Sequence, residues 1–162
     1  LPSLEQLFLG QNRLTSMLGL GRLGCLRVLS LQSNKITKIE GLEGVSDSLE
    51  ELYLSHNQIS CIPEDLHLPR LRILDVSANA IQEIPKKFGQ LLPRLEEFWA
   101  SDNQMADLNK QLDRFCPEIR SRLTTVYLGG TNPMASHPRY PAVVQQAFPA
   151  LMQIDGTILS WD

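Results

Sequence analysis

Cysteine is scarce in this 162-residue chain: the three present, Cys25, Cys61 and Cys116, are an odd number at irregular spacing. Such a set does not build a disulfide framework and is expected as free thiols at small apolar positions in a reducing, intracellular compartment. With no CxxC pair, the thiols also lack metal-ligand spacing. A basic excess is missing too, since 15 Lys and Arg face 18 Asp and Glu for a formal net charge of −3. Nucleic-acid-binding domains carry a basic patch or stripe, so nucleic acid is excluded as the expected ligand. No run approaches the ~20 apolar residues of a membrane span, and no stretch reads as a secretory signal. Neither a membrane anchor nor a cofactor is expected.

What the chain does have is a period. The pattern LxxLxLxxNxL occurs as Leu4-Leu7-Leu9-Asn12-Leu14, Leu26-Leu29-Leu31-Asn34-Ile36 and Leu49-Leu52-Leu54-Asn57-Ile59. It continues as Leu71-Leu74-Val76-Asn79-Ile81 and Leu95-Phe98-Ala100-Asn103-Met105. A sixth copy runs Leu123-Val126-Leu128, with Asn132 one residue late after Gly129-Gly130-Thr131. The first leucines stand 22, 23, 22, 24 and 28 residues apart, in or just beyond the leucine-rich-repeat range. Each copy predicts a short strand, a turn and a return, stacked into an α/β solenoid with a curved parallel sheet on its concave face and short 3₁₀ or helical convex returns. The asparagines suit a ladder that satisfies main-chain groups in the turns.

Proline after Ile62 and Ile84 favours short 3₁₀ or extended returns there. Leu108, Leu112 and Phe115 recur at helical spacing and predict a helix over 107–116. From Pro133 the leucine period stops, and Val144, Phe148 and Leu151 are placed to cover the last repeat. The division expected is six repeats over 1–132 and a helical cap over 133–162. The chain opens on Leu1-Pro2-Ser3-Leu4, inside the pattern, so a fragment with an open first layer is expected.

Strand alternation sorts the outward residues into columns. The first is Gln6, Val28, Glu51, Ile73, Glu97 and Thr125; the third is Gly10, Gln32, Ser55, Ser77, Ser101 and Gly129. Between them run Phe8, Ser30, Tyr53, Asp75, Trp99 and Tyr127, which hold four of the ten aromatic residues in the chain. Rings in register beside carboxylates suit a protein-binding face about 24 Å across, with aromatic anchors and a partner patch rich in Lys or Arg. Packing of the rings on one another across strands is the alternative use. Chemistry is harder to build. His56, His67 and His137 sit in unrelated segments, Gly19-Leu20-Gly21 and Gly129-Gly130 lack a phosphate-loop context, and Asp75 with Glu97 would lie on an open sheet. A non-catalytic scaffold is therefore expected.

Leu7-Phe8-Leu9-Gly10, Leu29-Ser30-Leu31-Gln32-Ser33-Asn34, Ile39-Glu40-Gly41-Leu42 and Leu52-Tyr53-Leu54-Ser55-His56-Asn57 resemble the Sds-type repeats of the protein phosphatase 1 regulatory subunit 7 family. So do Glu97-Phe98-Trp99, Thr125-Val126-Tyr127-Leu128, Asn132-Pro133, Tyr140, Ala147-Phe148-Pro149 and Gln153-Ile154-Asp155. The resemblance implies a regulatory subunit of nucleus and cytoplasm, monomeric apart from its partner, that holds the phosphatase catalytic subunit on its concave face. It assigns contact roles to Phe8, Asp75, Glu97, Trp99 and Tyr127, with Ser30 and Tyr53 at equivalent positions and Glu51 in the flanking column. The proline-containing returns and the late Asn132 depart from the family pattern, off the concave strands. The alternative is a repeat scaffold of a spliceosomal, axonemal or centrosomal assembly.

Overall fold

Alternation of apolar and polar residues around each second leucine gives three-residue strands with one side chain inward and two outward. In the computed structural model, which describes residues 1–160, these are β1 (Gln6–Phe8), β2 (Val28–Ser30), β3 (Glu51–Tyr53), β4 (Ile73–Asp75), β5 (Glu97–Trp99) and β6 (Thr125–Tyr127). They pair in parallel and in sequence order, with Leu7, Leu29, Leu52, Leu74, Phe98 and Val126 in one register row. The inward leucines, isoleucines and valines behind that row form one continuous core. Its first layer is thinner: Leu4, Leu7, Leu9 and Leu14 are half-buried, whereas Leu26, Leu29, Leu31 and Ile36 are fully buried.

The asparagines stitch the turns together. Asn34 Nδ2 donates to Leu31 O (2.9 Å) in its own repeat and to Leu9 O (3.0 Å) in the preceding one, while its Oδ1 accepts from Leu14 N (3.0 Å). Asn57, Asn79 and Asn103 repeat this arrangement. The residue before each ladder asparagine, from Gln11 through Ser33, His56 and Ala78 to Asp102, has φ of 52–57°. In the sixth repeat Gly130 takes the left-handed conformation (φ 65°), and Asp102 Oδ1 accepts from Thr131 N at 2.8 Å. A Cβ on Gly130 would lie 2.1 Å from that same oxygen. The extra residue is absorbed there, and Asn132 still reaches Ala100 O and Leu128 O.

Convex returns are short. Leu20–Arg22 and Glu43–Val45 are 3₁₀ turns, and the proline-containing returns are turns without helix. The helix expected over 107–116 is shorter, α1 (Leu108–Leu112), followed by α2 (Pro117–Arg120). Its extension is stopped because Phe115 leaves the helix to bridge Phe88: Phe88 N donates to Arg114 O and Cys116 N donates to Phe88 O. Of the three free thiols only Cys116 occupies a buried position; Cys25 and Cys61 are exposed on the returns, contrary to the apolar seats expected for them.

After Asn132 comes α3 (Tyr140–Ala147), which lays Val144 on the last repeat, with Phe148 and Leu151 buried just beyond. The segment also adds β7 (Gln153–Ile154), parallel to β6, and β8 (Thr157–Ile158), antiparallel to β7. Asp155 and Gly156 join them with φ of 47° and 83°, the Asp-Gly pairing that a two-residue hairpin turn demands. Because the chain turns away there, the Asp155 carboxylate stands in for a further strand, accepting from Leu128 N (2.8 Å), Gly129 N (3.0 Å) and the Tyr140 hydroxyl (2.8 Å). Trp161 and Asp162, the end of the expected cap, lie outside the described residues. Among the described residues no helix is long and apolar enough to cross a membrane.

Candidate protein-binding face

Parallel register brings Phe8, Ser30, Tyr53, Asp75, Trp99 and Tyr127 into one row on the concave face. Three of the rings form a ladder. Tyr53 and Trp99, two strands apart, lean together to a centroid separation of 6.0 Å, and Trp99 meets Tyr127 edge-on at 5.6 Å. The rings therefore do pack on one another, and they remain partly exposed while doing so. Carboxylates of the flanking column pin two of them: the Tyr53 hydroxyl donates to Glu51 (2.5 Å) and Trp99 Nε1 donates to Glu97 (3.1 Å). Burial and the Glu51 carboxylate push the Tyr53 phenol far above its ordinary range, so it stays a neutral donor. Tyr127 accepts from Gln153 Nε2 at 3.0 Å, which ties the ladder to β7.

Two members of the row are not exposed as strand alternation suggested. Asp75 is only 7% exposed and Ser30 only 4%. Asp75 lies between Tyr53 and Trp99 in register, flanked by their rings. Burial raises its carboxyl above the ordinary carboxylate value; the Ser77 N–H, donating at 3.0 Å, opposes that shift. Ser30 bonds to Gln32 and forms a low step between Phe8 and Tyr53. Phe8 stands apart from the ladder, 65% exposed. The step opens a groove of about 510 Å³ whose lining includes Phe8, Val28, Ser30, Glu51, Tyr53 and Trp99.

None of the three outward columns contains a basic residue. At the strand entrances Arg27 pairs with Glu50 (3.1 Å) and Glu5 (3.6 Å), and Arg72 with Glu96 (3.2 Å). Pairing with Arg27 holds the Glu50 carboxyl below its ordinary value. This rim network escaped sequence reasoning, although the alternation Glu5, Arg27, Glu50, Arg72, Glu96 at one position of successive repeats was a usable signal. The histidines stay apart, His56 and His67 exposed in separate turns and His137 half-buried in the cap. Among the described residues no three His, Cys, Asp or Glu side chains converge as a metal site would need.

A one-dimensional stack of strand-and-return units with an asparagine ladder and an open sheet defines a leucine-rich-repeat solenoid. The leucine-rich repeat family signature matches residues 25–157, and a second, for two copies of the repeat, matches residues 2–44; the chain belongs to this family. It is 40% identical over 109 residues to the Arabidopsis thaliana protein phosphatase 1 regulatory inhibitor subunit PPP1R7 homolog, covering 67% of this chain. The chain spans only 33% of that relative's length. Among solved structures, the Drosophila melanogaster SNF/U2A′ complex contains a chain that superposes with a TM-score of 0.67 at 26% identity, over 78% of this chain and 71% of that one. A Leptospira interrogans leucine-rich-repeat protein superposes with a TM-score of 0.76 at 27% identity, over 93% of this chain and 36% of that one.

Proposed function

We propose that this chain is a non-catalytic regulatory module that binds the catalytic subunit of a protein phosphatase 1 type Ser/Thr phosphatase on its concave face, in nucleus and cytoplasm. Residues 1–132 would carry the face and 133–162 would close the stack. The observation that carries the reading is the carboxylate-pinned ladder of Tyr53, Trp99 and Tyr127, with Phe8 beyond it, on a sheet face without a cation. Aromatic anchors supply most of the energy in many interfaces, and rings already held by Glu51 and Glu97 lose little freedom when a partner arrives. Asp75 lies between Tyr53 and Trp99 in register and lines the same groove. The likeness to the plant phosphatase regulator supports a phosphatase as that partner.

A second reading follows from the chain in the SNF/U2A′ complex: a ribonucleoprotein scaffold that holds an SNF-type protein. Separate calorimetric titrations of the purified chain with a phosphatase catalytic subunit and with an SNF-type protein decide between them. Binding of the phosphatase alone is expected. Binding of the SNF-type protein alone would transfer the assignment to the second reading.

A further inference from the structure

The concave face does not end with the sixth repeat. Leu151 and Ile154 repeat the spacing that opens the strand motif, and β7 carries the sheet on, with Gln153 paired to Thr125 and Ile154 to Val126. Register then sets Ile158 of β8 opposite Gln153. Residues paired across strands point to one side of a sheet, and the Gln153 amide identifies that side by donating to the Tyr127 hydroxyl (3.0 Å). The first outward column therefore runs two strands further, through Gln153 to Ile158. Ile158 is 81% exposed. Met152, 61% exposed, stands at the strand entrance, the position that carries Glu5, Arg27, Glu50, Arg72 and Glu96 in earlier repeats.

Charge is missing from this end of the face. From Tyr140 to Ser160 the one charged residue is Asp155, and its carboxylate is taken up by Leu128 N, Gly129 N and the Tyr140 hydroxyl. The ion-paired rim of the first five repeats gives way to Thr124 and Met152. The second observation is that β8 is the last strand of the sheet. Its backbone covers the edge of β7, but Thr157 and Ile158 stay exposed and add nothing to the core. Soluble proteins blunt such edges with charge or proline. A large aliphatic side chain there, beside an exposed methionine, marks an interaction surface instead. Its place in the column says what covers it: a protein seated on the ring ladder has β8 three strand spacings from Trp99, about 14 Å away.

We propose that Ile158 and Met152 form an apolar end contact for the same partner that the ring ladder holds, and that the partner meets them with an uncharged, apolar patch. This rests on the reading of the concave face as the phosphatase-binding face. The partner then has two footprints of different chemistry, one on the aromatic and acidic surface of β1 to β6 and one on the neutral surface of β7 and β8. The hairpin belongs to the binding face as well as to the cap.

The test is a calorimetric titration of the intact chain with a phosphatase catalytic subunit, run on the parent, Ile158→Ser, Met152→Gln, Trp99→Ala and the double variant Ile158→Ser with Trp99→Ala. Ile158→Ser is expected to weaken binding about tenfold, the loss of one large apolar side chain from a contact, and to melt with the parent. Met152→Gln should weaken binding by a smaller factor, and the heat-capacity change of binding should become less negative in both. In the double variant the two losses should multiply, because side chains about 14 Å apart act independently. Parental affinity in Ile158→Ser or Met152→Gln, beside a weakened Trp99→Ala, would overturn the end contact and leave the ladder as the binding face. Absence of binding by the parent would remove both. A clearly lowered melting temperature in Ile158→Ser would make the side chain part of the cap's packing and overturn the proposal. So would a concentration-dependent dimer of the parent that Ile158→Ser abolishes in sedimentation, since the patch would then serve a second copy.

Discussion

Asp75 shows how a single position on the sheet is governed by its neighbours two strands apart. Its carboxylate is buried between Tyr53 and Trp99, and that burial raises its pKa from the ordinary value of 3.8. The folded state therefore binds the proton more readily than the unfolded state does, so this residue's contribution to stability falls as pH rises from 3.8 through the higher folded value. Asp75→Asn keeps an acceptor for the Ser77 N–H and removes the charge. Urea titrations should show the variant more stable than the parent at neutral pH, with the difference vanishing below the ordinary carboxylate range. A variant less stable at pH 7 would mean that the ionised carboxylate is stabilising. Nothing in the sequence alone reveals this burial, because it depends on ring rotamers contributed by residues 22 and 24 positions away.

At the scale of elements, side-chain groups replace main-chain pairing wherever a repeat ends. Asn79 accepts from Ile59 N (2.9 Å) and donates to Leu54 O and Val76 O (both 3.0 Å), joining consecutive turns. Asn79→Ala leaves Ile59 N unpaired and takes one of two donors from Leu54 O, which keeps Asn57, and from Val76 O, which keeps Asn103; it is expected to cost about 1–3 kcal/mol in thermal or urea unfolding. Asp155 does the same work at the end of the sheet for Leu128, Gly129 and Tyr140. Asp155→Ala should lose about 1–3 kcal/mol, and amide exchange at Leu128 and Gly129 should accelerate first. Unchanged exchange at those two amides would remove Asp155 from the cap. The ladder was legible because an asparagine at a fixed place in a period is a one-dimensional signal. The hairpin went unread where a helical cap was expected: Asp155-Gly156 is a usable turn signal, but two-residue strands carry almost no alternation to announce them. The length of α1 was not legible, since the bridge from Phe115 to Phe88 is a tertiary contact across 27 residues. Nor was buried Gln111, which accepts from Ile84 N at 2.8 Å and ties α1 to the preceding return.

For the whole molecule, fold and proposed binding rest on opposite sides of the same strands, and β5 separates them within adjacent residues. Phe98 is fully buried and packs against Phe88 and Phe115 at centroid distances of 4.7 and 6.0 Å. Phe98→Ala should cost about 3–5 kcal/mol in stability through the cavity it leaves. Trp99 faces the other way, in the ring ladder. The most direct measurement is a calorimetric titration of Trp99→Ala with the phosphatase catalytic subunit, alongside a thermal melt of the same variant. Binding weaker by about 2–4 kcal/mol, with a melting temperature close to that of the parent, is the expected result. Parental affinity in a folded Trp99→Ala protein would contradict the assignment of the ladder as the binding face.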